Sequence, residues 1–191
     1  MRPISILCAL SKAFEKLLKQ QMINFIEGNN LLSDCQAGFR AGHSIKTAVL
    51  QVHDYLSSIV DKKGVGILLL LDFSKAFDTI PHGKLLAKLE DEFNFSPTAV
   101  GLMESYLRGR RQTVCCGDRC SISTEVPSGV PQGSVLGPLL FCCHINNLPL
   151  VLKYSSIQIY ADDVQIYIGR QGPCARELIS MMNADLEIVS D

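Results

Sequence analysis

The chain has 191 residues, 47% of them hydrophobic and 19% charged, with a formal net charge of −1. That is apolar content enough for one compact domain, in a length too short for two large ones, and no low-complexity stretch invites extended disorder. The near-neutral charge argues against a protein that merely coats nucleic-acid phosphates, but not against an enzyme whose acidic site offsets basic surface.

The first apolar run, Ile4 to Leu10, is short and interrupted by Ser5 and Cys8, unlike a secretory signal. The longest apolar run, Val65 to Leu71, is far below a membrane span. The expectation is a soluble intracellular protein, nuclear or cytoplasmic, with no membrane partner. Ser11 to Glu27 carries Phe14, Leu17, Leu18, Met22, Phe25 and Ile26 at helical spacing, with Gly28 as a stop. A polar loop, Gln36-Ala37-Gly38-Phe39-Arg40-Ala41-Gly42-His43, separates it from a second helix. Ser44 caps that helix, and it sets Ile45, Ala48, Val49, Val52, Tyr55, Leu56 and Ile59 on one side. Val65 to Leu71 then reads as a strand buried on both faces, running into Asp72. Helices follow over Gly83–Glu92 and from Ser96-Pro97 to Gly109, a serine cap with proline in the first turn.

Residues 111–116 and 121–126 predict a hairpin about Gly117-Asp118, and Ser134 to Asn147 a buried helix. Ser156 to Ile168 alternates about Ala161-Asp162-Asp163, the pattern of a second hairpin, before a last helix from near Pro173. The order fits an α+β fold with helices on one face of an antiparallel sheet. The eight cysteines contain no C-x-x-C, and with the four histidines they offer no ordinary zinc spacing. Free thiols packed as small hydrophobes are therefore expected, with the histidines serving structure. The densest basic run, Arg108-Gly109-Arg110-Arg111, suits a solvated turn as well as a nucleic-acid backbone.

The acidic residues are the chemical feature. Asp72 ends an intensely apolar strand, and Asp162 and Asp163 occupy the tip of an apolar hairpin. A carboxylate beside a core is costly unless compensated, and a divalent cation compensates it well. If the strands lie side by side, Asp72 and one of the pair share a site suited to Mg²⁺. Side chains alternate along a strand, so only one of Asp162 and Asp163 should ligate fully. Spacing alone leaves a polar turn and a strand-end cap equally open, because aspartate is common at turns.

The neighbouring residues carry a resemblance. Leu71-Asp72-Phe73-Ser74-Lys75-Ala76-Phe77-Asp78 resembles motif A of the reverse transcriptases of non-LTR (LINE-type, jockey-like) retrotransposons, and Ser128-Gly129-Val130-Pro131-Gln132-Gly133-Ser134-Val135-Leu136-Gly137-Pro138 resembles motif B. Tyr160-Ala161-Asp162-Asp163 is similar to motif C. Arg2-Pro3-Ile4-Ser5, with Lys12 to Lys16, and Gln36-Ala37-Gly38-Phe39-Arg40 resemble the earlier fingers motifs. All five stand in the family's order and together span essentially the whole chain.

The resemblance implies a right-hand polymerase fold with fingers-like residues 1–64 and palm-like residues 65–191, an antiparallel palm sheet backed by helices, and no thumb. It also implies a C-terminally truncated core. The implied activity is RNA-directed DNA synthesis, in which a primer 3′-hydroxyl attacks the α-phosphorus of a dNTP on an RNA template. Two Mg²⁺ ions, for which Mn²⁺ can substitute, would assist. Asp72 and Asp162 would be the main metal ligands, with Asp163 beside them. Phe73, Ser74, Lys75 and Ala76 would offer backbone amides to the triphosphate, and Phe77 would gate against a ribose 2′-hydroxyl. Gln132 and Gly133 would line the nucleotide pocket, and Arg2 would reach the triphosphate. Gln36, Phe39 and Arg40 would touch template. Asp78 receives no catalytic role beyond a local cap. The alternative is a catalytically incomplete retroelement remnant that folds and binds nucleic acid without polymerising.

Overall fold

The computed structural model describes residues 5–40, 42–73, 75–172 and 175–190. In chain order its elements are α1 (Ala9–Gly28), α2 (Ile45–Asp61), β1 (Gly64–Asp72), α3 (His82–Asp91), α4 (Pro97–Leu107), β2 (Arg111–Gln112), β3 (Cys115–Cys116), β4 (Arg119–Cys120), β5 (Thr124–Glu125), α5 (Gly137–Ile145), α6 (Leu148–Val151), β6 (Ser156–Tyr160), β7 (Asp163–Gln171) and α7 (Ala175–Ser190). Packing divides them into two units, Met1–Leu31 with Lys75–His144 and Leu32–Ser74 with Ile145–Asp191.

The second unit holds a three-stranded antiparallel sheet ordered β1-β7-β6. Strand alternation sends Val65, Ile67, Leu69 and Leu71 to one face, where they meet Ile157, Ile159, Val164, Ile166 and Ile168 from the other strands and Leu178 and Met182 from α7. α2 lies on the opposite face. Ser44 and Thr47 begin it with a reciprocal capping box, Leu56 and Ile59 rest over Gly64, Gly66 and Gly169, and Tyr55 packs edge-on against Tyr167 at 5.0 Å. The helices thus back both faces of the sheet rather than one.

β1 is also not buried on both faces. α2 covers only its glycine-bearing start, so Leu68 and Leu70 are 43% and 68% exposed beside an open groove of about 470 Å³. An antiparallel edge strand needs only one apolar face, and the run of leucines conceals which face that is.

The first unit gathers α1, α3, α4, α5 and two small two-stranded pairs, β2 with β5 and β3 with β4. Ser96 caps α4 through the Ala99 amide, with Pro97 in its first turn. Ile26, Leu85, Leu89, Phe93, Leu107, Leu136 and Leu140 are fully buried here. The inward stripe of α1 is rotated from the expected one: Glu15, Met22 and Ile26 are buried, whereas Phe14, Leu17 and Phe25 are 50%, 66% and 41% exposed.

The cysteine expectation also needs correction. The antiparallel register sets Cys115 opposite Cys120, with Cα atoms 4.1 Å apart, and a disulfide joins them. Cys8, Cys35, Cys116, Cys142 and Cys143 stand outside that disulfide as thiols. The basic run is engaged locally. Arg108 pairs with Glu104 at 2.9 Å, Arg110 stacks over the Tyr106 ring at 4.4 Å, and Arg111 donates to the Ser123 carbonyl at 2.9 Å. Among the described residues no helix is long and apolar enough to cross a membrane.

Candidate catalytic site

The acidic site is built by sheet register. Antiparallel pairing of β1 with β7 places Asp72 directly across from Asp163, on the face shared with Leu68, Leu70, Gln165 and Tyr167. Both carboxylates stand at the end of the sheet and are exposed. Tyr160-Ala161-Asp162-Asp163 forms the connecting turn, with Ala161 at φ 58°, the positive φ at the first central position that a tight hairpin requires. Asp162 is the second central residue and is half-buried. The resemblance names Asp72 and Asp162 as the principal ligands, and the register makes Asp163 the residue facing Asp72.

Like charges directly opposite on a sheet repel, so a cation between or beside their oxygens would stabilise this pair. Among the described residues no three His, Cys, Asp or Glu side chains cluster closely enough to cage a metal. Two carboxylates at an open sheet end nevertheless fit Mg²⁺, which is held by one or two carboxylates and completes its shell with water and substrate phosphate oxygens.

In the first unit, the turn after motif A and the loop of motif B are laced together. Lys75 has φ 58°, and its carbonyl accepts the Asp78 amide at 2.8 Å, closing the turn. The Val130 amide donates to the Phe77 carbonyl at 2.7 Å and the Gly129 amide to the Ile80 carbonyl at 2.8 Å. His82, 7% exposed, meets the Gly129 carbonyl through Nε2 at 2.7 Å. Residue 129 must be glycine: φ is 85°, and a Cβ would lie 2.6 Å from the Asp78 carbonyl oxygen.

This lacing fixes two of the expected nucleotide contacts. Phe77 is half-buried and backed by Phe141, with ring centroids 5.0 Å apart. Gln132 donates from Nε2 to both Asp78 carboxylate oxygens at 3.0 Å, and its carbonyl accepts the Ser5 amide at 2.9 Å. Asp78 therefore orients Gln132, a role that sequence reasoning missed. Gly133 is exposed and has φ 92°. Lys75 is exposed, Ala76 is buried, and Phe73 packs against the core of the second unit. Arg2 and Ser74 lie outside the described residues.

The expected template residues divide by burial. Phe39 is 47% exposed at φ 61°. Arg40 turns its guanidinium back onto the carbonyls of Ser33 and Gln36, at 2.8 and 3.3 Å. Gln36 is 1% exposed and is directed into the motif C hairpin.

Two buried acids support these parts. In the first unit, Glu15, fully buried, accepts the Val135 and Leu136 amides at 2.6 and 3.2 Å and so holds the entry to α5 behind motif B. Ser134 lies before α5 rather than inside it, its Oγ accepting the Gly137 amide at 2.9 Å. In the second unit, Asp185 of α7, also fully buried, accepts the amides of Lys153, Tyr154 and Ser155 at 2.9, 3.1 and 2.8 Å and fixes the chain entering β6. Each acid sits on the buried stripe of its helix, Glu15 with Met22 and Ile26, Asp185 with Leu178 and Met182. That spacing is the sequence signal that could have found them.

Burial raises the Asp185 carboxyl pKa, but its backbone donors and the Ser155 hydroxyl outweigh that and hold it below the usual carboxylate range. A depressed folded pKa gives stability that is fully present above the unfolded value of about 3.9 and is lost as pH falls through the lower folded value. Asp185→Asn is therefore expected to lower the urea midpoint at neutral pH and to flatten its fall below about pH 5. A variant whose acid limb parallels wild type would show that this carboxylate does not carry the linkage. His144 obeys the same sign. Burial, then Lys88 and Lys84, push its pKa down to about 4, so it is neutral at pH 7.

The family model described as reverse transcriptase (RNA-dependent DNA polymerase) matches residues 1–187. The chain is 37% identical over 167 residues to the probable RNA-directed DNA polymerase from transposon X-element of Drosophila melanogaster, covering 85% of this chain and 18% of that protein. It is 31% identical over 173 residues to the RNA-directed DNA polymerase from mobile element jockey of Drosophila funebris, covering 86% and 19%. The chain thus spans less than a fifth of the length of these relatives. Among solved structures, telomerase from Candida albicans, in complex with a TWJ fragment of telomeric RNA, superposes with a TM-score of 0.61 at 12% identity, over 95% of this chain and 32% of that one. That likeness is one of fold.

Proposed function

This chain belongs to the reverse transcriptase (RNA-dependent DNA polymerase) family, and from that premise we propose that it is a catalytic core which extends a DNA primer with dNTPs on an RNA template, as part of retrotransposition. The observation that carries the reading is the pairing of Asp72 with Asp163 at an open sheet end, beside a hairpin tip bearing Asp162. In this reading residues 1–64 are the fingers-like part and 65–191 the palm-like part.

Reverse transcriptases generally use divalent metals. Here Asp72, Asp163 and Asp162 would hold Mg²⁺, with Mn²⁺ as a substitute. Bound there, the ions would polarise the primer hydroxyl and offset charge on the leaving pyrophosphate.

The chain's own groups align and select. Backbone amides of residues 73–76 receive the triphosphate, and Arg2 reaches it from the fingers-like part. Phe77, backed by Phe141, would act as the gate against a 2′-hydroxyl and so favour dNTPs. Gln132, held by Asp78, and Gly133 form the pocket wall. Phe39 offers an exposed ring for stacking on a template base, with Arg40 bracing its loop. Positioning and fixed charge then supply most of the rate enhancement.

Primer extension on an RNA template with Mg²⁺ and dNTPs, comparing this chain with Asp162→Asn, Asp163→Asn, tests the proposal. Extension by wild type that the double variant loses is the expected result. Equal extension by both would move the metal site elsewhere, and none by either would leave this stretch a catalytically incomplete core.

A further inference from the structure

Gln36 belongs to the loop expected at the template, yet it is among the most buried polar residues of the second unit, 1% exposed. Residues 35–37 run parallel to β6 as a short added strand: the Ala37 amide donates to the Ile159 carbonyl and the Ile159 amide to the Cys35 carbonyl, both at 2.8 Å. This brings the Gln36 side chain to the hairpin tip. Its Oε1 accepts the Gly38 amide at 2.9 Å and the Ala161 amide, 125 positions away in the chain, at 3.3 Å. Its Nε2 is buried with no hydrogen-bond partner among the described residues, so its described polar ties all run through the amide oxygen.

The same loop presses on the turn sterically. A Cβ at residue 38 would lie 2.2 Å from the Ala161 nitrogen and 2.9 Å from its Cα, so only glycine permits this approach. What is being held is a non-glycine residue at φ 58°, a conformation that persists only where its surroundings over-determine it. Ala161 is 7% exposed and immediately precedes Asp162 and Asp163.

We propose that Gln36 is a positioning residue for the metal site: its amide oxygen, with the close contact of Gly38, locks the left-handed Ala161 turn and thereby sets the directions of Asp162 and Asp163. The role rests on the metal-site reading above. It replaces template contact for this side chain, since a glutamine enclosed on all sides presents nothing to a nucleic acid.

The test is Gln36→Met, nearly isosteric but without the acceptor, studied in the full chain. Two readouts are taken, amide hydrogen exchange at Ala161 and Mn²⁺ affinity by electron paramagnetic resonance titration. Exchange at Ala161 is expected to speed by about tenfold and Mn²⁺ affinity to weaken by about five- to tenfold, with circular dichroism unchanged and the urea midpoint near wild type. Gly38→Ala, which displaces the turn while leaving Gln36 in place, is expected to give the same pair of changes.

Wild-type exchange at Ala161 and wild-type Mn²⁺ affinity in folded Gln36→Met would overturn the proposal. So would weakened binding of an RNA–DNA primer–template at unchanged Mn²⁺ affinity, which would return Gln36 to the template. Should wild type itself bind no Mn²⁺, the metal-site reading fails, whereas exchange at Ala161 still decides whether Gln36 holds the turn.

Discussion

Glu15→Ala is expected to cost about 4 kcal/mol of stability, a large part of the roughly 5–15 kcal/mol that holds a typical domain folded. The carboxylate is fully buried and accepts two backbone amides at the entry to α5, in addition to the Ser11 hydroxyl at 3.2 Å. Hydrogen bonds to a charged group contribute roughly 1.5–3 kcal/mol each. Truncation to alanine removes all three and leaves the two amides without their acceptor. Some of the loss is offset because a buried charge no longer needs to be desolvated. Glu15→Gln keeps an acceptor oxygen without the charge, and about half the loss is expected. Urea denaturation at constant m value measures both variants. A Glu15→Ala midpoint within about 1 kcal/mol of wild type would mean that the desolvation penalty cancels the bonds, and that α1 is not anchored through this residue.

Glu15 also marks where sequence reading stops. The helices of this chain were legible because periodicity and caps agree locally: Ser44 with Thr47 begins α2, and Ser96-Pro97 begins α4. That Asp72 shares a sheet end with the hairpin aspartates was legible too, since an apolar strand and an apolar hairpin both end in aspartate; that Asp163 rather than Asp162 faces it is decided by the strand register. Which side of a helix turns inward was not legible where both sides carry large apolar groups. In α1, Phe14 and Leu17 outweighed Glu15 on any hydrophobic count, yet the acid is the buried residue because its partners, the amides of Val135 and Leu136, lie 120 and 121 positions away. Gln36 is the same case at a separation of 125. An acid or amide on an apolar stripe announces that a buried partner exists, while the partner's identity is set by tertiary packing. Strand register likewise decides that Cys115 meets Cys120, information absent from cysteine spacing.

Neutralising either member of the sheet-end pair, by Asp72→Asn or Asp163→Asn, is expected to cut primer extension by about a thousandfold or more, equivalent to roughly 4 kcal/mol of transition-state stabilisation. The same change should leave the metal-free fold at least as stable as wild type, because two like charges held directly across a strand pair repel and asparagine removes that repulsion without changing shape. A structural pair would behave in the opposite way, losing stability and activity together. Divalent metal sharpens the distinction. A ligand bound only by the folded state raises the melting temperature according to its concentration and affinity, so Mg²⁺ or Mn²⁺ should raise that of wild type and move that of either variant far less. Asp162→Asn tests the turn residue separately. An equal kinetic loss would mean that Asp162, half-buried in the turn, ligates alongside the cross-strand pair, and a much smaller loss would leave the pair as the principal site. Normal extension by Asp72→Asn would sink the assignment of this sheet end as the catalytic centre, because no other carboxylate faces Asp163 across β1.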